Sequence, residues 1–306
     1  MTTLAELCAG TASVSLWAMA DIDPLTGYMG SKRADRSRLV RMLLGNARPD
    51  RVVLVDAGPW GDVWVTLRNA DQRRAVAEVL REWDAAGDLV EVWPWLVQCA
   101  PPTDPARRVA QYIALQSRAA GCIPVWWSAE AGRWESPSGG RTHGDCDQRG
   151  VSAAERRCKQ PTARKVGPVY RSRPSRGLVC ISTLAKRVEA LDAIDWARVD
   201  VIHGDVRDVD PSEFGRGVRV LFDPPYHGCP RYAELLPRSD VMDLAAKWSE
   251  YAEFIAVCEA EPLPLPGWQH ERLRARGKPE WLTTWGTPAA VMLPVRPAPV
   301  QETMPW

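Results

Sequence analysis

The tetrapeptide Asp223-Pro224-Pro225-Tyr226 stands directly behind an apolar run, Val218 to Phe222. The two prolines fix the backbone near φ of about −65° and carry no N–H donor, so the carbonyls beside them are held out as acceptors. Asp223 adds a carboxylate acceptor, and Tyr226 adds a flat ring. An acceptor pair beside a ring suits a planar base with an exocyclic amino group. Two N–H bonds are accepted and the ring is stacked upon. Those hydrogen bonds keep the nitrogen lone pair out of the ring system and make it a better nucleophile, by electrostatic positioning rather than proton abstraction. Within a duplex such a base is stacked and has to be extruded first, at some energetic cost. A Pro-rich turn with Asp as a turn residue explains the same four residues. Their place at the end of an apolar run favours the chemical reading.

Three further stretches put polar groups at the ends of apolar runs. In Glu6-Leu7-Cys8-Ala9-Gly10-Thr11-Ala12-Ser13, small residues separate a strand-like start from a helix-like continuation. A turn of that kind lets a ligand approach the backbone and a helix N-terminus. Asp56 closes the run Arg51 to Val55, where an acid can take a ribose diol, with Asp62 as a second candidate; with Gly204, Asp205 ends the strand-like run that begins at Arg198. Each of these acids alone reads equally well as a solvated loop residue.

The elements that must carry these tips alternate between strand and helix patterns. Basic residues mark a helix over about 34–44. Ala75, Val79, Leu80 and Trp83 fall on one helical face, with Gly87 as a stop, and residues 106–120 also read as helix. Over 178–194 the chain reads as a helix or a strand leading into one, followed by a strand ending in Gly204-Asp205, a strand over 218–222, a helix near 238–252, a strand near 253–263, and two antiparallel strands at the end. The alternation predicts an open α/β sheet, in which ligands sit outside the carboxyl ends of the strands. Between 126 and 176 the pattern lapses into Gly, Ser, Pro and Arg, and a long segment of this kind inside a domain is functional or disordered. Arg149, Arg156, Arg157, Lys159, Arg164, Lys165, Arg171 and Arg173 make it basic, a composition that neutralises phosphates and can read guanine edges. The tryptophans Trp126, Trp127 and Trp134 serve there as stacking platforms or as packing.

Composition bounds the rest. With 306 residues, 45% of them hydrophobic and 25% charged, the chain can bury a real core, which excludes global disorder. The net charge of +1 does not decide for or against nucleic acid; the clustering matters more. Eight scattered cysteines without a CxxC, no leader-like start and no membrane-length apolar run predict a cytoplasmic protein with reduced thiols. His143, Cys146, Cys158 and His203 match no standard zinc spacing, so no metal is expected. Nothing fixes the oligomeric state, and a monomer is the simplest expectation.

Together these pieces resemble the S-adenosylmethionine-dependent amino-methyltransferases of DNA, whose hallmark is DPPY. The likeness is strongest to short, divergent adenine methylases encoded by phages of actinobacteria, and it covers residues 4–67 and 178–290. The resemblance implies a Rossmann-like methyltransferase sheet, mostly parallel with a C-terminal antiparallel hairpin and helices on both faces. Residues 1–125 and 178–293 would form the methyltransferase domain, 126–177 a DNA-recognition insertion and 294–306 a tail. It implies S-adenosylmethionine as cofactor, DNA as partner and, for a phage-encoded chain, the host cytoplasm as location. By that likeness Glu6, Cys8, Ala9, Gly10 and Thr11 form the cofactor turn, Asp56 takes the ribose and Asp205 the cofactor adenine. Tyr28, Gly30, Ser31 and Lys32, within Tyr-Met-Gly-Ser-Lys-Arg, line the methionine end, and Asp223, Pro224, Pro225 and Tyr226 are catalytic. The chain departs from the family pattern in having Ala12 at a glycine position and in placing the Gly-Ser-Lys element after the glycine turn. Other base amino groups, cytosine N4 or a base in RNA, and a non-catalytic DNA-binding protein on the same scaffold remain alternatives. A dinucleotide oxidoreductase is disfavoured, because Cys-Ala-Gly-Thr-Ala-Ser is not GxGxxG.

Overall fold

The structure is a computed structural model that describes residues 1–26, 32–86, 92, 95–119, 124–136, 164–165, 180–225, 236–273 and 280–289. In chain order, β1 (Thr3–Leu7), α1 (Ser13–Ala20), α2 (Arg36–Leu44), β2 (Arg51–Asp56), α3 (Pro59–Arg68), α4 (Ala70–Ala86) and α5 (Pro105–Arg118) are followed by three short strands. These are β3 (Trp126–Ser128), β4 (Arg133–Ser136) and β5 (Arg164–Lys165). Then come α6 (Ile181–Ala190), β6 (Val199–His203), β7 (Val218–Phe222), α7 (Arg238–Ser249), β8 (Ala252–Glu259), β9 (Gln269–Arg272) and β10 (Trp281–Gly286).

The main sheet has the order β6-β2-β1-β7-β8-β10-β9. Its first five strands run parallel, and β10 runs antiparallel to both β8 and β9. This is an α/β, Rossmann-like sheet with the antiparallel end expected from the sequence. Chain order reverses between β1 and β7, and that switch point is where open α/β sheets hold ligands. β1 and β7 are buried along their whole length, as central strands covered on both faces must be. Alternation divides their side chains between two cores. Leu4, Val52, Leu54 and Leu221 pack with residues of α1 to α6. Ala5, Val53, Val220 and Phe222 pack with α7 and with the short 3-10 turns Val206–Asp208 and Pro211–Phe214.

Local chemistry sets the ends of the elements. β7 stops where Pro224 and Pro225 cannot donate to a ladder. Asp104 caps α5 by accepting from the Arg107 N–H at 2.8 Å, with Pro105 in the first turn. α3 begins immediately behind β2, at Pro59, a helix the sequence reading did not separate from the preceding strand. Its Trp60 and Trp64 are fully buried and stacked at 5.9 Å.

The helix fits there because of Gly61. A Cβ at that position would stand 2.3 Å from the Asp56 carbonyl oxygen and 2.4 Å from Cδ2 of His203. Gly61→Ala should therefore destabilise the chain by about 1–3 kcal/mol through forced movement of β2 or β6. Urea unfolding of the variant measures this, and an unchanged midpoint would contradict the packing described.

The segment from 126 is more ordered at its start than its composition predicts. β3, β4 and β5 form a separate three-stranded antiparallel sheet. Trp134 is buried in the main core, with its indole N–H donating to the Cys99 carbonyl at 3.0 Å. Trp127 meets it edge to face. Among the described residues no helix is long and apolar enough to cross a membrane, and no cluster of metal-ligating side chains occurs.

Candidate functional site

Four strand tips converge at the carboxyl end of the sheet, and backbone hydrogen bonds stitch them together. The Asp223 N–H donates to the Leu7 carbonyl at 3.1 Å, Ala9 to Val55 at 2.9 Å, and Gly204 to the Asp56 carbonyl at 3.2 Å. The turn after β1 is built from left-handed residues: Cys8 at φ 57°, Gly10 at φ 49° and Ala12 at φ 48°. That conformation costs a residue with a Cβ about 1–2 kcal/mol. It explains why glycine is the natural residue at position 12, a place that Ala12 fills with full burial.

The tips open onto a cavity of about 500 Å³. Glu6, Cys8, Ala9, Gly10 and Thr11 line it. Lys32, Asp56, Asp205, Asp223 and Pro225 belong to the same lining, while Pro224 is buried. Ten of the residues picked out by sequence thus share one cavity. Tyr28, Gly30, Ser31 and Tyr226 lie outside the described residues, as do Arg149, Arg156, Arg157, Lys159, Arg171 and Arg173. Arg164 and Lys165 constitute β5.

Glu6 is buried, and one carboxylate oxygen accepts the Ser15 N–H at 2.9 Å, joining β1 to the first turn of α1. Burial pushes its carboxyl up to about 7, against the hydrogen bonds from Ser15. Between about pH 4.5 and 7 the folded chain therefore holds a proton that the unfolded chain has released, so stability falls as pH rises through that window. Glu6→Gln keeps an acceptor for Ser15 and abolishes the titration. Relative to the wild type it should gain up to about 3 kcal/mol of stability on going from about pH 4.5 to about pH 7.5. Urea unfolding at the two pH values tests this, and parallel behaviour of the two proteins would contradict it.

Asp56 is tied inward. One oxygen accepts the Gly10 N–H at 2.8 Å and the other the Gly58 N–H at 2.9 Å. Burial raises its carboxyl above the usual range, opposed by those donors. Asp62, the second candidate for a ribose, pairs in bidentate fashion with Arg108 of α5 at 2.7 and 3.0 Å. Asp205 accepts from the Arg207 backbone and guanidinium, which in turn reaches Asp240 at 3.3 Å. The Arg207 hydrogen bonds hold the Asp205 carboxyl below its usual range.

At the switch point, Lys32 Nζ lies 2.5 Å from Asp223 Oδ1 and 3.0 Å from Glu280 Oε1. Lys32 is 1% exposed. Burial opposes its charge, but Asp223 and Glu280 outweigh burial and hold the ammonium above its usual range. By sequence Lys32 falls at the methionine end of a cofactor, and Glu280 has no place there. Nothing marks Glu280, one residue ahead of β10, as a partner of two residues so far back in the chain, because only the tertiary fold brings them together. Comparison with protein-family models and with curated proteins gave no match.

The rest of the lining includes residues the sequence did not single out for a cofactor. Tyr112 and Arg108 of α5, Trp126 and Trp127 of β3, and Pro101 line the same cavity. The lining therefore combines acids and close backbone with aromatic rings. That pairing suits a ligand with a flat ring at one end and cationic or hydroxyl groups at the other.

Proposed function

We propose that this chain transfers a methyl group from S-adenosylmethionine to the N6 amino group of adenine in DNA. The observation that carries this reading is the shared cavity: the small-residue turn after β1 and the Asp223 tip of β7 face one space at the switch point of the sheet. Two adjacent subsites, one for a donor and one for an acceptor, are what in-line transfer requires.

The residues fit the cofactor. A buried acid pushed up to about 7 is poised to ionise when a cation arrives, and the left-handed turn lets a ligand lie close to the backbone. Glu6 and the turn from Cys8 to Thr11 would hold its amino-acid part, Asp56 its ribose, and Asp205 with the aromatic rings its adenine. When bound, the cofactor supplies an electrophilic methyl group on a sulfonium. The chain's own part is positional. Asp223 and the Pro224 carbonyl accept hydrogen bonds from the amino group of the target base, and Tyr226 stacks on its ring. Lys32 fixes the rotamer of Asp223. The basic run from Arg149 to Arg173 would neutralise DNA phosphates.

Calorimetry with S-adenosylmethionine at about pH 5.5 and about pH 7.5 tests the cofactor half of the reading. Binding should be tighter at the higher pH, because a cationic ligand favours ionised Glu6 and displaces its proton. No binding at either pH would overturn it.

A further inference from the structure

The hydroxyl of Tyr112 has no hydrogen-bond partner among the described residues, although Tyr112 is only 4% exposed. An unpartnered buried hydroxyl costs about 1–3 kcal/mol, and in a native protein it calls for an explanation. Packing alone does not supply one. The ring stands edge-on to Trp60 at 5.5 Å, a contact that phenylalanine would make equally well. Tyr112 also lines the cavity that the strand tips line.

Its position in that lining is fixed. α5 packs on α3, and the bidentate Arg108–Asp62 pair clamps the two helices one turn from Tyr112. Asp56, at the tip of β2, lies within electrostatic reach of the phenol, and burial with that neighbouring acid holds the phenol protonated. A protonated phenol is a donor as well as an acceptor. Asp56 is an acceptor only, and each of its oxygens already takes one backbone N–H. A group suited to lie between them donates to a carboxylate and accepts from a phenol. A sugar hydroxyl does both at once.

We propose that Tyr112 is a ligand-binding residue that donates a hydrogen bond to a ribose hydroxyl, which in turn donates to Asp56. The site thereby selects a ribonucleoside ligand over its deoxy counterpart. This inference rests on the methyltransferase reading for the identity of the nucleoside, but the chemistry it names is the diol.

The test uses S-adenosylhomocysteine and its 2′-deoxy and 3′-deoxy forms as probes, titrated into the full chain and into Tyr112→Phe. The variant should bind the parent compound about three- to tenfold more weakly, the scale of one neutral hydrogen bond. One of the two deoxy probes, the one lacking the hydroxyl that meets Tyr112, should bind wild type and variant equally. The ligand-free variant should melt no lower than wild type, since it loses only an unsatisfied group. Equal binding of the parent compound to both proteins would overturn the inference while leaving the methyltransferase reading intact. So would an equal loss with all three probes. Failure of the wild type to bind any of them would overturn both.

Discussion

Asp223→Asn is expected to lower methyl transfer by about 10²–10³-fold, the scale for losing one preorganised electrostatic contact to the reacting group. Cofactor affinity should be unchanged. The reason lies in what the amide can and cannot do. It would still offer one carbonyl oxygen to Lys32, so the local fold is kept. It would replace an acceptor-only carboxylate with a group half of which is a donor. An amino group on the target base then meets either a weaker acceptor or a like-polarity N–H. Single-turnover rates with saturating cofactor measure the loss, and calorimetry measures the retained binding. A variant that transfers at the wild-type rate would show that Asp223 does not hold the reacting amine.

Lys32→Met should destabilise the folded chain by about 3–5 kcal/mol, the cost of removing one member of a buried ion pair. Methionine fills a similar volume, so the effect isolates the charge. Without the ammonium, Asp223 at 17% exposure and Glu280 at 6% lose the cation they share. The penalty should shrink as pH falls, because protonating a carboxylate removes the charge that the ammonium offset. Urea unfolding at about pH 5 and about pH 8 checks both parts. Equal stability of variant and wild type at the higher pH would mean that the cluster is not electrostatically coupled.

The regular parts of the fold were legible because their signals are local. The runs that became β1, β2, β6 and β7 carry apolar stretches of strand length ending in turn residues, and α4, α5 and α7 carry helical spacing. α3 was hidden because its start at Pro59 continues the apolar run of β2, although proline suits a first helical turn and Gly61 answers a tertiary contact with His203. β3 and β4 were hidden because three- and four-residue strands are too short to show alternation. The tips of the site were visible for the same reason the strands were: an acid or a glycine next to the end of an apolar run is a local pattern. The partners of those residues were not. Glu280, Tyr112 and Arg108 reach the site from elements far along the chain, through sheet order and helix packing that no local window contains. Tyr112 in particular reads as one more apolar position on the buried face of α5, and only its unsatisfied hydroxyl in the folded chain sets it apart.

The central claim is that the tip of β7 presents a nucleobase amine to a methyl donor held on the neighbouring tips. Incubation of the chain with methyl-labelled S-adenosylmethionine and DNA of mixed sequence, followed by digestion and nucleoside analysis, tests it most directly. The label is expected in N6-methyldeoxyadenosine, and it should fall by about 10²-fold or more over the same interval when Asp223→Asn replaces the wild type. Label in no nucleoside, with cofactor binding intact, would contradict the account.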